Sequence, residues 1–303
     1  MFDLTIFPLS VDSGQEQYDL PGLFATAAPR KSARIRAQDC LLLYCRFIHS
    51  AATGRAGVPL TPSQQREILA RLSESYYTTS GSVTAGLRAM ATRLNEFLLD
   101  RNLHAAQQGQ TVAMLNMAVL HGSSLIVGQV GAAHLFVLTR SSVEHFGEGV
   151  TGSAARGLGL SRGVIPRFYH AELQADDLMV VCDHAPAAWN ARYLANSPQL
   201  TFDHFRRRLL IDGGDPFQAA VVRFQAGRGV ISYWIPGGAP SARAGEGRLG
   251  RAARTGAPAS ELMADSPYPQ EPAGAVKDTP VMEPAPEAPE PPSQRRAVFL
   301  GEA

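Results

Sequence analysis

The side chains best able to do chemistry in this 303-residue chain are dispersed along it. Cys182, Asp183 and His184 stand in a row, residue types that serve as a nucleophile with its base or as a small metal site. They close an apolar, strand-like run. Successive side chains of a strand point to opposite faces, so the three cannot converge from one strand. The eight histidines show no HxH or HExxH spacing, and the three cysteines, Cys40, Cys45 and Cys182, contain no CxxC. A zinc site or a disulfide framework is therefore not expected, and Cys40 and Cys182 read as core residues. Gly157-Leu-Gly159-Leu-Ser-Arg-Gly163 has the composition of a phosphate-cradling loop. Its spacing is GxGxxxG rather than GxGxxG, and it joins no strand to a helix, so a flexible surface loop is expected. Arg206-Arg207-Arg208 is too short to carry nucleic-acid binding and reads as a solvated helix face.

The whole-chain charge agrees. The formal net charge is +1, which supplies no field for nucleic acid or an anionic membrane. Only Lys31 and Lys277 are lysines, so nearly all the positive charge is arginine. The N-terminus lacks the basic and long apolar regions of a signal peptide. No apolar run reaches the roughly 18–20 residues of a membrane helix, so a soluble cytoplasmic protein without a membrane span is expected.

The elements that must position any site come next. Leu4–Leu9 and Leu23–Ala28 alternate as strands and are candidates to pair with one another; Leu41–Ile48 is a stronger strand. Thr61-Pro62-Ser63-Gln64 forms a capping box with proline at the first helical position, and Ile68, Leu69, Leu72 and Tyr76 follow on one face. A second helix starts near Ser82, with Leu87, Met90, Leu94 and Leu98 at helical spacing, and ends near Asn102. From Thr111 the period becomes that of strands: 112–121, 124–131, 134–139, 168–173 and 178–182, with Gly122-Ser123 as a hairpin turn. Residues 187–194 and 200–210 read as helices. Phe217–Phe224 and Val230–Ile235 are expected to close the domain as an antiparallel pair. Strands, two long helices, more strands and a last hairpin indicate a layered α+β architecture. Residues 1–236 have globular composition, enough for one sizeable core. Residues 237–303 are rich in Gly, Ala and Pro, with Glu283–Pro292 favouring polyproline II, and are expected to be a disordered tail. Its Arg295-Arg296-Ala-Val-Phe-Leu300 could be a docking peptide or a frayed end.

Along these elements a set of motifs resembles the PPM-type (type 2C) metal-dependent Ser/Thr protein phosphatases. Val130-Gly-Ala-Ala-His134 is similar to the family's Val-Gly-Asp-Ser-Arg, with Ala132, Ala133 and His134 replacing the Asp, Ser and Arg. Arg34-Ile-Arg-Ala-Gln38-Asp39 keeps the spacing of the family's Arg and Asn-Glu-Asp. Leu158-Gly159 and Leu173-Gln-Ala-Asp-Asp177-Leu-Met-Val-Val-Cys182 are similar to the Leu-Gly and the strand before Ser-Asp-Gly. Without a gap, His184 takes the place of that metal-binding Asp and Asp183 falls one position early. Asp215-Pro-Phe-Gln-Ala-Ala-Val-Val222 is similar to Asp-Asn-x-Thr and its valine-rich strand. The family's Asp-Gly-x-Gly-Gly-His, whose Asp bridges two divalent cations, has no counterpart: Tyr44-Cys-Arg-Phe-Ile-His-Ser stands there, and no carboxylate occurs between Leu41 and Thr61.

The resemblance implies a sandwich of two antiparallel β-sheets flanked by helices over roughly Leu4–Ile235. It implies Arg34 as the phosphate-binding arginine, Arg34 and Asp39 as positional catalytic candidates, and Asp39, Asp183 and Asp215 as remnants of a metal set. Mn²⁺ and Mg²⁺ want octahedral oxygen donors with carboxylates to cancel their charge, and two bridged ions generate the attacking hydroxide. The losses point to a pseudophosphatase without a cofactor, a binding or regulatory module for an unidentified protein partner. The alternatives are an active Mn²⁺- or Mg²⁺-dependent phosphatase with a reduced site at Arg34, Asp39, Asp183 and Asp215, and an adaptor acting through its Pro-rich tail.

Overall fold

A computed structural model describes residues 1–50, 58–104 and 109–237; the tail from 238 onward lies outside the described residues. Two antiparallel sheets face each other. The first contains β1 (Phe2–Asp12), β2 (Gln15–Gln17), β7 (His134–Leu138), β8 (Val143–Phe146), β10 (Leu178–Cys182), β11 (Phe217–Ala226) and β12 (Ile231–Tyr233). Its order is β12-β1-β11-β10-β7-β8, with β2 paired to β1. The second runs in the order β3 (Leu23–Ala27), β4 (Asp39–Ser50), β5 (Gln110–His121), β6 (Ser124–Val130), β9 (Arg167–Glu172). Helices α1 (Pro62–Thr78) and α2 (Val83–His104) cover the outer face of this sheet, and α3 (Ala191–Leu194) and α4 (Phe202–Gly213) cover the other.

Alternation along the strands fills both layers. Leu4, Ile6, Leu42, Val127, Val181 and Val222 meet in the core between the sheets. The opposite faces of the first sheet place Phe7, Phe136, Val180 and Val221 against Trp189, Phe205 and Leu209 of the α3–α4 side. Each fully buried side chain of this size contributes roughly 1.5–3 kcal/mol. The capping box at Thr61 forms as its sequence indicates: Gln64 N donates to Thr61 Oγ1, and Thr61 N donates to Gln64 Oε1.

Two pairings differ from the sequence expectation. β3 pairs with β4, not with β1. β12 does not form a hairpin with β11; β1 lies between them and pairs antiparallel with β11 and parallel with β12. Asp3 turns the chain for that crossover, its Oδ1 accepting from Arg228 N at 2.7 Å and Val230 N at 2.8 Å. The first part of the 157–163 segment is buried rather than on the surface, while 160–163 are exposed. Gly159 N donates to Asn95 Oδ1 at 2.8 Å, Asn102 Nδ2 donates to Gly159 O at 2.9 Å, and Leu158 pairs with Ala113. Gly159 has φ +91°, and a Cβ there would meet Leu98 Cβ and Thr111 O at 2.9 Å, so glycine is needed for this close approach. The short strands β2 and β8 and the brevity of α3 were not visible in the sequence pattern.

Candidate functional site

At one end of the sandwich the apolar core gives way to polar side chains on three strands. On β4 the inward positions are Leu42 and Tyr44, on β10 Met179 and Val181, and on β11 Val222 and Ala220. One step further along each alternation lie Arg46, Asp183 and Gln218. The pairing of Cys182 with Ala219 sets Asp183 beside Gln218. Arg46, from the opposite sheet, reaches both: its Nε lies 3.4 Å from Asp183 Oδ2, and its Nη1 donates to Gln218 Oε1 at 2.6 Å. Tyr44 Oη adds a longer bond to Gln218 O at 3.4 Å. Asp183 Oδ1 is buried and has no partner among the described residues.

A cavity of about 110 Å³ opens beside this cluster, with Tyr44, Arg46, Gln65 and Gln218 in its wall. Its far wall is the Leu20–Gly22 segment, drawn close because Gly22 has no side chain: a Cβ there would lie 2.0 Å from Cys45 O. Cys45 N donates to Gly22 O at 2.8 Å. Burial raises the Cys45 thiol far above its ordinary value and raises Cys182 similarly, so neither is a thiolate nucleophile.

The residues singled out by the resemblance do not meet at one place. Asp183 is half-buried against Arg46, behind the cavity wall rather than in it, and His184, which stands in the metal Asp's place in the ungapped frame, is exposed. Asp215 is exposed and precedes β11 near the same end. Its carboxylate accepts from Ser13 N at 3.0 Å and Gly14 N at 2.6 Å, bracing the β1–β2 turn. Asp39 starts β4, seven positions and about 23 Å of strand away from Arg46. It is fully buried with Arg36, whose Nη1 is 3.6 Å from Asp39 Oδ2. Tyr76 Oη donates to Asp39 Oδ2 at 2.7 Å, and His121 Nδ1 lies 2.8 Å from Oδ1. Arg36 also donates to Gly81 O and Ser82 O and stacks 4.4 Å above the Tyr76 ring. Asp39 therefore ties the start of β4 to α1 and, through Arg36, to the turn before α2, while Arg34 and Gln38 are exposed on that side.

The emptied Val130–His134 stretch holds a different cluster. His134 Nδ1 is 3.0 Å from His145 Nε2, and the His145 ring stacks on Phe136 at 4.0 Å. Burial lowers His134 to about 4, with His145, His184 and Arg167 adding repulsion against its charged form.

The family chemistry requires a bridged pair of divalent ions, and these residues do not fit one. No three His, Cys, Asp or Glu side chains converge among the described residues. Asp183 is the charged oxygen donor of the Arg46 cluster, and a guanidinium already lies against it. A divalent ion on Asp183 would sit about 4 Å from that cation, a repulsion on the order of 8 kcal/mol at an effective dielectric constant of about 20. Arg46 and Gln218 were missed in the sequence because neither is a metal ligand by type. The available signal was strand parity: an arginine two positions beyond the inward Tyr44.

No protein-family model matches the sequence, and a search of curated proteins finds no match. Solved structures do match in fold. The Ser/Thr phosphatase Stp1 from Staphylococcus aureus superposes with a TM-score of 0.52 at 14% identity, covering 75% of this chain and 96% of that one. The S. agalactiae serine/threonine phosphatase gives 0.51 at 12%, covering 73% and 99%. A bacterial serine phosphatase gives 0.51 at 12%, covering 76% and 100%. The fold is that of the PPM-type phosphatases, an α+β sandwich of two antiparallel sheets flanked by helices. No helix among the described residues is long and apolar enough to cross a membrane.

Proposed function

We propose that this protein is a non-catalytic module on a PPM-type fold, serving to bind or regulate a protein partner. Its globular part spans residues 1–236, and the Gly/Ala/Pro-rich residues 237–303 serve as a tether. The observation that carries the reading is the arginine in the cleft. Arg46 spans the two sheets at the mouth of the sandwich and neutralises Asp183. Two further features support it. Asp39 is spent on a buried pair at the far end of β4, and Asp215 is spent on the Ser13–Gly14 turn. Of the remnant carboxylates, Asp183 is the one held beside the cavity, where it pairs with Arg46 of the cavity wall.

Calorimetric titration with Mn²⁺ and with Mg²⁺, alongside hydrolysis of an aryl phosphate, tests this. The expected result is neither saturable binding nor turnover above background, in wild type and in Asp215→Ala alike. Metal-dependent turnover that Asp215→Ala abolishes would establish the reduced-site phosphatase instead.

A further inference from the structure

We infer that the Arg46 guanidinium is the resident cation of this cleft, holding the two sheets together at their open end where the fold family uses metal. The inference deepens the non-catalytic reading and rests on it. Three observations converge. The apolar core ends at Tyr44, Val181 and Ala220, and the next inward side chains are one cation, one anion and one amide. They come from three strands and both sheets, since β4 belongs to one and β10 and β11 to the other. The planar guanidinium presents several donors in a fixed fork: here Nη1 donates to Gln218 Oε1, while Nε lies 3.4 Å from Asp183 Oδ2 as an ion pair. A lysine ammonium would offer the charge without that fork.

The position of Arg46 also makes the site convertible. Asp183 Oδ1 is buried without a partner among the described residues, so the carboxylate keeps one oxygen free. Gln218 Oε1 is an oxygen donor on the same side of the cluster. Replacing Arg46 by aspartate would set a second carboxylate on β4, facing Asp183 and Gln218, and exchange a built-in cation for a site wanting one. Hard divalent ions suit such oxygen donors.

Thermal unfolding of the full chain, with and without millimolar MnCl₂, tests the inference. Wild type is expected to show the same Tm in both. Arg46→Met should lose several degrees and gain nothing from Mn²⁺. Arg46→Asp should be the least stable without the ion and should recover with rising Mn²⁺, as expected for a ligand that binds only the folded state. Adding Asp183→Asn should erase that recovery. Arg46→Met as stable as wild type would overturn the inference, as would a folded Arg46→Asp indifferent to Mn²⁺. If Arg46→Asp does not fold at all, Arg46→Lys decides. Lysine should restore part of the Tm that methionine loses, and equal losses would mean that positive charge is not what holds the cleft. These outcomes are separate from the functional reading, which falls on metal-dependent turnover by wild type. Mn²⁺ binding by wild type that Asp183→Asn abolishes would sink both.

Discussion

Asp39 carries its charge inside the protein, fully buried against Arg36 and bonded by Tyr76 and His121. Burying a pair gains little net stability, but removing one partner leaves the other charge unpaired at a cost of about 3–5 kcal/mol. Asp39→Asn keeps the shape and removes the charge, so urea unfolding should show a loss in that range. A metal ligand behaves in the opposite way, because neutralising it relieves repulsion when no ion is bound. An unchanged or raised urea midpoint would therefore contradict the structural role argued for Asp39. This distinction was not legible in the sequence. The Arg-x-x-x-x-Asp spacing names Arg34, whereas the fold selects Arg36, because the short 3₁₀ turn at Arg34–Arg36 directs one arginine inward and leaves the other in solvent. Asp183 shows the same limit. An ungapped frame favoured His184, but in space strand parity decides, and Asp183 continues the inward row of Met179 and Val181.

The hairpin of β7 and β8 has a pH response of its own. His134 is held neutral chiefly by burial, with His145, His184 and Arg167 opposing its protonation, and His145 is lowered as well. Glu148, 3.9 Å from His145 Nδ1, works the other way on that ring. The folded state of His134 takes up its proton near pH 4, while the unfolded chain does so near 6.5. Stability from the neutral ring is then complete above pH 6.5 and is lost as pH falls toward 4. His134→Gln should flatten the fall in chemical stability between those values; an identical acid limb in wild type and variant would refute the assignment. Elements of this kind were largely legible. The period-2 runs gave β4, β5, β6, β10 and β11, and the Thr61 capping box gave the start of α1. What escaped was pairing. Alternation shows that Leu4, Leu23 and Ile231 lie in strands, but which strands become neighbours depends on contacts far apart in sequence. Hence β3 joined β4, and β12 joined β1.

At the scale of the molecule, the parallel pairing of β12 sets how far along the chain the fold still needs its residues. Leu4 pairs with Ile231 and Ile6 with Tyr233, and Trp234 N donates to Ile6 O at 2.8 Å. The Trp234 ring stands edge-on to Phe7 at 5.0 Å and lies against Phe202 at 5.6 Å, closing the aromatic layer between the first sheet and α4. The chain therefore remains structurally necessary through Trp234, eight residues beyond the end of β11. From Gly237 onward the composition supplies few side chains suited to a core. Truncation should respect backbone bonding and burial rather than residue count. A chain ending at Gly237 is expected to unfold at the wild-type temperature. One ending at Ala226 should lose about 3 kcal/mol or more, because it uncovers Phe7 and Phe202 and leaves one edge of β1 unpaired. Measured by thermal and urea unfolding, a loss of stability in the chain ending at Gly237 would show that residues 238–303 contribute to the folded domain. The tether reading of that segment would then fail, and the working surface of the protein would have to be sought on domain and tail together.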